Sequence, residues 1–267
     1  MFTLFCILFI INAYTEAEHF SFHDRLSHTD PDGTLEIIGG KTAFPHWLGY
    51  QAGIKIEQNE GSVLFCGGSL ITPSYILTAA HCLNSVYSLE VILGAHNISK
   101  KERTQLIIEP KNYTIHPDWN PELLINDIAL IKLPKPVKIG LSKRTVRLPK
   151  DDKKNYAGQK GIVSGWGITK YNQTISNVLE YAKSIILSNE ECKKIHPFDR
   201  VIQDTHLCLS GAGRISSCQG DSGGPLVVKG VQVGIVSFSM KKCNTTTPSV
   251  FTRVSKYLKW IREISDL

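Results

Sequence analysis

The chain has 267 residues, 42% of them hydrophobic and 20% charged, which suits a sizeable globular core and excludes a wholly disordered protein. Its formal charge is +6, but residues 1–36 hold one basic and six acidic side chains, so the rest carries 29 basic against 18 acidic, or +11. Apart from a cluster at Lys150, Lys153 and Lys154 the lysines are scattered and no nucleic-acid motif accompanies them; the charge is read as solubility, and no nucleic-acid partner is expected.

In chain order, residues 2–14 form the apolar block FTLFCILFIINAY, short for a bilayer span and followed by Thr15, Glu16 and Ala17. A small-x-small ending of this kind predicts a signal peptide over 1–17, although the usual basic start is missing. No later segment is long and apolar enough to span a membrane, so a soluble, secreted, extracellular product without a membrane partner is expected. From Ile37 onward short β-type runs recur between turn signals: SVLFCGGSLI, YILTAAH, LEVILGAH, DIALIKL, GIVSGWG, LEYAKSIIL, PLVVKG, VQVGIVSFS and VFTRVS. Alternation at this spacing predicts an all-β sandwich or barrel. The charged, Pro- and Gly-containing stretch 148–158 is the candidate linker between two β subdomains, about 37–147 and 159–253. The period then changes: Val254, Tyr257, Leu258, Ile261 and Ile264 share one helical face, so a helix over about 254–265 closes the chain.

Cysteine usage fits export. Cys6 leaves with the signal, and Cys66, Cys82, Cys192, Cys208, Cys218 and Cys243 form an even set. Many pairings of six are open; short loops favour Cys66 with Cys82, Cys192 with Cys208, and Cys218 with Cys243. Sequons at Asn97, Asn112, Asn172 and Asn244 lie in polar stretches suited to glycans.

Three strings carry chemistry. SCQGDSGGPLV sets Ser222 among glycines, where backbone amides can approach a substrate closely. A serine hydroxyl is a weak nucleophile and needs a base, which needs an orienting partner. LTAAHC offers His81, and INDIALIKL offers Asp127 ahead of an apolar strand. Taken singly, these read as a core histidine, a turn aspartate and a glycine turn. No HExxH or paired CxxC spacing occurs among the nine histidines and the cysteines, so no metal or cofactor is expected.

Together, IIGG, CGGSLI, LTAAHC, NDIALIKL, SGWG, GDSGGP and SVFTRV resemble, in order and approximate spacing, the chymotrypsin-like serine peptidases, over Ile37 to Leu267. The resemblance implies two six-stranded antiparallel β-barrels with a C-terminal helix, and an endopeptidase working through an acyl-enzyme. It implies His81 as base and then acid, Asp127 as its orienter, Ser222 as nucleophile, the N–H groups of Gly220 and Ser222 as oxyanion hole, and Ser237 beside the aspartate. It further implies a zymogen with an activation propeptide over 18–36: cleavage after Glu36 would free Ile37, whose ammonium would pair with Asp221. Glu36 departs from the family pattern, which usually places Arg or Lys there.

Specificity follows from the same resemblance. The pocket base falls on Ser216 and the wall positions on Ser239 and Ser249. A neutral base disfavours Lys and Arg, and serine walls narrow the pocket, so an apolar, chymotrypsin- or elastase-like preference is expected. Gly161 and Val228 stand where vertebrate relatives carry a further disulfide, which gives the set an arthropod character. Ala95 stands where calcium-binding relatives carry a carboxylate ligand. Protein or peptide substrates, an activating protease, serpins or inhibitors presenting a substrate-like loop, and a monomeric state are the implied partners and form. The other readings are an inactive homologue that only binds, or a narrow-specificity venom or processing protease.

Overall fold

The computed structural model describes residues 40–169, 174–195, 200–239 and 246–267. Glu36, Ile37, Asn172, Cys243, Asn244 and the expected signal and propeptide segments lie outside the described residues. Two antiparallel sheets account for the strands. In the first, β2 (Gln51–Gln58), β3 (Val63–Thr72), β4 (Tyr75–Thr78), β5 (Val86–Leu93), β6 (Leu106–Ile108), β7 (Asn112–Ile115) and β8 (Ala129–Lys132) lie in the order β6-β5-β2-β3-β4-β8-β7. The alternation in β2 explains its placement: Ile54 and Ile56 enter the core, while Lys55 faces out and pairs with Glu90 at 3.7 Å.

The second sheet contains β1 (Lys41–Thr42), β9 (Lys160–Gly165), β10 (Glu180–Leu187), β11 (His206–Leu209), β12 (Pro225–Val228), β13 (Val231–Ser239) and β14 (Ser249–Arg253). Its order is β1-β10-β11-β14-β13-β12-β9, and β9 also pairs with β10, which closes six strands into a barrel with β1 as an appendage. Here the expected six-stranded barrel is present. The first sheet differs, because its two edge strands are halves of one stretch, 106–115, interrupted by Glu109, Pro110 and Lys111. Pro110 has no N–H to donate, so the sheet curls around its core as a half-barrel that strand pairing does not close.

The C-terminal element also departs from its expected form. Val254–Tyr257 is a 3-10 turn, and the α-helix proper, α2, is Leu258–Ile264. Tyr257, at φ −115° and ψ 11°, marks the break. Its apolar face nevertheless lands where the periodicity puts it: Val254, Tyr257, Leu258 and Ile261 are buried in the core of the first sheet, together with Val227 and Ile235 from the second. A shorter helix, α1 (Asn189–Lys193), starts in a capping box made by Ser188 and Glu191 and presents Cys192 to Cys208. No helix among the described residues is long and apolar enough to cross a membrane.

Candidate active site

His81 sits in a 3-10 turn, Ala80–Leu83, directly after β4. The Cys66–Cys82 disulfide, with Cα atoms 6.4 Å apart, ties that turn to β3. Asp127 precedes β8 and is 1% exposed. Its carboxylate accepts three bonds: the His81 backbone N–H on Oδ1 at 2.9 Å, the His81 ring Nδ1–H on Oδ2 at 2.8 Å, and the Ser237 hydroxyl, also on Oδ2. Thr252 Oγ1 donates to the Asp127 carbonyl at 2.7 Å.

Burial alone would raise the Asp127 pKa, but the His81 charge and these hydrogen bonds outweigh it and hold the carboxyl below its ordinary value. For His81 burial works downward, and the Asp127 charge and bond overcome it to raise the imidazole above 6.5. With Nδ1–H committed to Asp127, the tautomer places the basic lone pair on Nε2.

Ser222 lies between Asp221 and Gly223 on a turn that only glycines permit. Gly220 has φ +96° and Gly223 φ +80°; a Cβ on Gly223 would lie 2.2 Å from Thr78 Oγ1, and one on Gly220 would meet Ile175 at 2.9 Å. The turn is clamped to both sheets, since the Ser222 carbonyl accepts the Gly67 N–H at 2.7 Å and the Gly223 N–H reaches the Val236 carbonyl at 2.8 Å. Among the described residues, the backbone N–H groups of Gly220 and Ser222 have no protein acceptor. Two free, neighbouring donors beside a half-buried hydroxyl are what a developing oxyanion needs.

Asp221 is fully buried. Its oxygens accept the Gly167 N–H at 2.9 Å and the Cys218 N–H at 3.0 Å, and among the described residues no cationic side chain pairs with it. Burial pushes its carboxyl up to about 6, which the two amide bonds only partly oppose. The glycines of SGWG make room: a Cβ on Gly165 or Gly167 would lie 2.2 or 2.3 Å from an Asp221 oxygen.

The residues expected to form the pocket lie on adjoining segments. Ser239 on β13 is the register partner of Ser249 on β14. Ser249 is 1% exposed and its hydroxyl accepts the Ser217 N–H at 3.1 Å, so it ties the β14 wall to the strip leading to Ser222. Ser216 is buried and its hydroxyl donates to the Ser217 carbonyl at 3.0 Å. The expected base is therefore polar but uncharged, and the Ser216 and Ser249 hydroxyls are both engaged by backbone.

Cys192 pairs with Cys208. Cys218 is disulfide-bonded, and its expected partner Cys243 lies outside the described residues. Asn112 is exposed on β7, whereas Asn97 is half-buried and its side-chain oxygen accepts both the N–H and the hydroxyl of Ser99. In the loop that begins at Ala95, Glu102 accepts the N–H groups of His96 at 2.6 Å and Asn97 at 3.1 Å, so its carboxylate closes the loop directly. Among the described residues, three potential metal donors converge only at Cys66, His81 and Cys82, where the two sulfurs are bonded to each other.

Sequence reasoning missed His206. It is 1% exposed on β11, its Nδ1 accepts the Gln203 N–H at 3.1 Å, and its Nε2 bonds the Leu124 carbonyl at 3.0 Å. Burial holds it below 6.5, and these partners fix a neutral Nε2–H tautomer. The bond restrains the loop just ahead of Asp127, in which Leu124 and Asn126 both have positive φ. The other side of the ring meets Phe238, next to Ser237, with centroids 5.8 Å apart. A lone histidine in a strand offers no sequence signal for this role.

The family model described as Trypsin matches residues 37–261. The chain is 41% identical to a chymotrypsin of Phaedon cochleariae over 246 residues, covering 91% of this chain and 87% of that one. It is 39% identical to brachyurin of Leptuca pugilator, covering 85% and 97%. Among solved structures, HL collagenase superposes with a TM-score of 0.78 at 32% identity, covering 85% of this chain and 97% of that one. The hydrogen-bonded His81–Asp127 pair, the glycine-flanked Ser222 and these relationships lead to one assignment: the chain belongs to the trypsin family and is a serine endopeptidase.

Proposed function

We propose that this protein is secreted, made as a zymogen, and cleaves protein chains after apolar residues. The observation that carries the reading is the Asp127–His81 hydrogen bond at 2.8 Å, because it leaves the basic lone pair on Nε2, 3.8 Å from the Cys82 sulfur that itself lies 3.6 Å from the Ser222 carbonyl. In the first half-reaction Nε2 takes the Ser222 proton as Oγ attacks the scissile carbonyl, and the carbonyl oxygen becomes an oxyanion held by the N–H groups of Gly220 and Ser222. The imidazolium then gives its proton to the departing amine and an acyl-enzyme remains. Water repeats the sequence: His81 takes its proton, the acyl–oxygen bond breaks, and Ser222 recovers its hydrogen. Asp127 stays ionised throughout, favouring the imidazolium that forms in each half.

Residues 1–17 are assigned as signal and 18–36 as propeptide. Cutting after Glu36 creates an ammonium at Ile37, and Asp221 supplies the buried carboxylate that would receive it; pairing lowers the cost of both charges and sets the loop that carries Gly220. The acidic residue before the cut implies an activator that accepts Glu36 or trims towards Ile37. In the pocket, uncharged Ser216 favours apolar side chains over Lys or Arg, and Ser249 restricts the bulk admitted. Asn97 and Asn112 are assigned as glycan acceptors on the same reading.

A peptide-library cleavage profile of material beginning at Ile37, with Ser222→Ala alongside, tests this directly. Cleavage after Leu, Met or Phe, absent in Ser222→Ala, is expected. Strong cleavage after Arg or Lys would overturn the pocket assignment, and no cleavage at all would favour a binding protein that has kept the fold.

A further inference from the structure

We propose that Tyr257 is a positioning residue for Asp127 and acts through Asn126: its hydroxyl fixes the side chain of the residue that sets the backbone on which the catalytic carboxylate stands. The inference rests on the Asp127–His81 reading given above and adds a residue to it.

The connection between β7 and β8 carries Asp127, and its backbone is not one that a chain adopts freely. Asn126 has φ +58°, in the left-handed region where most side chains are crowded and asparagine is among the better tolerated. Its carbonyl accepts the Ile128 N–H at 2.9 Å, which closes a three-residue turn with Asp127 at its centre. A rotation at Asn126 therefore redirects Asp127, whose Oδ2 lies 2.8 Å from His81 Nδ1.

The Asn126 side chain is held at both of its polar atoms. Its amide donates to the Asp118 carbonyl at 2.7 Å, which ties the two ends of the loop together, and its oxygen accepts the Tyr257 hydroxyl at 2.9 Å. Tyr257 is a firm anchor, because it is 5% exposed and packs in the core of the first sheet. The ring of His116 meets it edge-on with centroids 5.4 Å apart, and the His116 N–H in turn bonds the Ile128 carbonyl at 3.1 Å. Burial pushes the Tyr257 hydroxyl up to about 12, so it stays protonated and remains a donor across the range in which His81 titrates.

The other restraints act to either side of Asn126. Thr252 holds the Asp127 carbonyl, Ser237 and His81 hold its carboxylate, and His206 holds the Leu124 carbonyl. Between them, the positive-φ backbone of Asn126 answers to Tyr257.

Two substitutions test the link. Tyr257→Phe keeps the ring and removes the hydroxyl, whereas Asn126→Gly keeps a residue at ease with positive φ and removes the side chain. In the chain cleaved between Glu36 and Ile37, each should lower kcat on a peptide substrate about five- to tenfold with KM within about twofold. The double variant should be no worse than Asn126→Gly, because both changes break the same link. The His81 titration, followed by ¹H NMR of its ring, should move down from its raised position toward 6.5 in both variants as the carboxylate loses its alignment. The activity of the parent tests the triad reading; the ratio of variant to parent and the NMR shift test this one. Losses that multiply in the double variant would overturn the proposal. So would a Tm that falls while kcat and the His81 titration stay at the parent's values, since the bond would then be a packing contact only.

Discussion

Asp127 and Asp221 are both withdrawn from water, and their chemistry diverges. Asp127 has a cation-forming neighbour within 2.8 Å and is held below the ordinary carboxylate value; Asp221 has, among the described residues, only two amide donors and is pushed up to about 6. Burial acts alike on the two, so the difference comes from the partner. An aspartate whose partner is built into the fold is ready to orient a base. One that has no cationic partner among the described residues can receive a charge, and on the proposed reading that charge is the Ile37 ammonium.

The largest effect should come from Asp127→Asn, which keeps the shape but removes the charge and the acceptor that fixes the His81 tautomer. A loss of about 10⁴-fold in kcat is expected, as the same substitution produces in related triads. In the parent, His81 must be neutral to act, and its pKa is raised, so kcat/KM should fall as pH drops through a value above 6.5. A pH–rate profile with its acid limb below 6.5 would break the account of Asp127.

Asp221→Asn probes the other member. In the uncleaved chain the native state holds its proton more tightly than the unfolded chain, so stability should decline as pH rises from about 3.8 to about 6 and then level off. The substitution should flatten that decline in denaturant melts, and the cut chain should gain little activity. An unchanged pH slope would mean that Asp221 already has a charge partner.

Smaller effects sharpen the first site. Ser237→Ala removes one of three bonds to the Asp127 carboxylate and should cost about tenfold in kcat/KM. For His206, Gln retains a donor for the Leu124 carbonyl and Phe does not. His206→Gln should stay within a few-fold of the parent while His206→Phe loses roughly tenfold; equal losses would show that the hydrogen bond to Leu124 is not what matters.

Much of this was legible in the sequence because local strings encode it. Strand alternation marked the sheets, GDSGGP announced a turn that needs glycine, and short loops suggested Cys66–Cys82 and Cys192–Cys208. What escaped depends on contacts between distant residues. His206 gains its role from Leu124 and Phe238, neither near it in sequence, and Ser249 gains its hold on Ser217 from the register of β14. The break at Pro110 was visible as a proline, but only the pairing of β6 and β7 on opposite edges shows that it leaves the first barrel half closed. The helical face at 254–264 was read correctly, whereas its first turn winds as 3-10, a difference that hydrophobic spacing does not record.

The central claim is that Ser222 is assembled for catalysis but awaits the partner of Asp221. Its most direct measurement is the stoichiometry of Ser222 labelling by an organophosphonate, before and after cleavage between Glu36 and Ile37. Near-stoichiometric labelling only after the cut is the expected result. Equal labelling of the intact chain, or none of the cut chain, would contradict it.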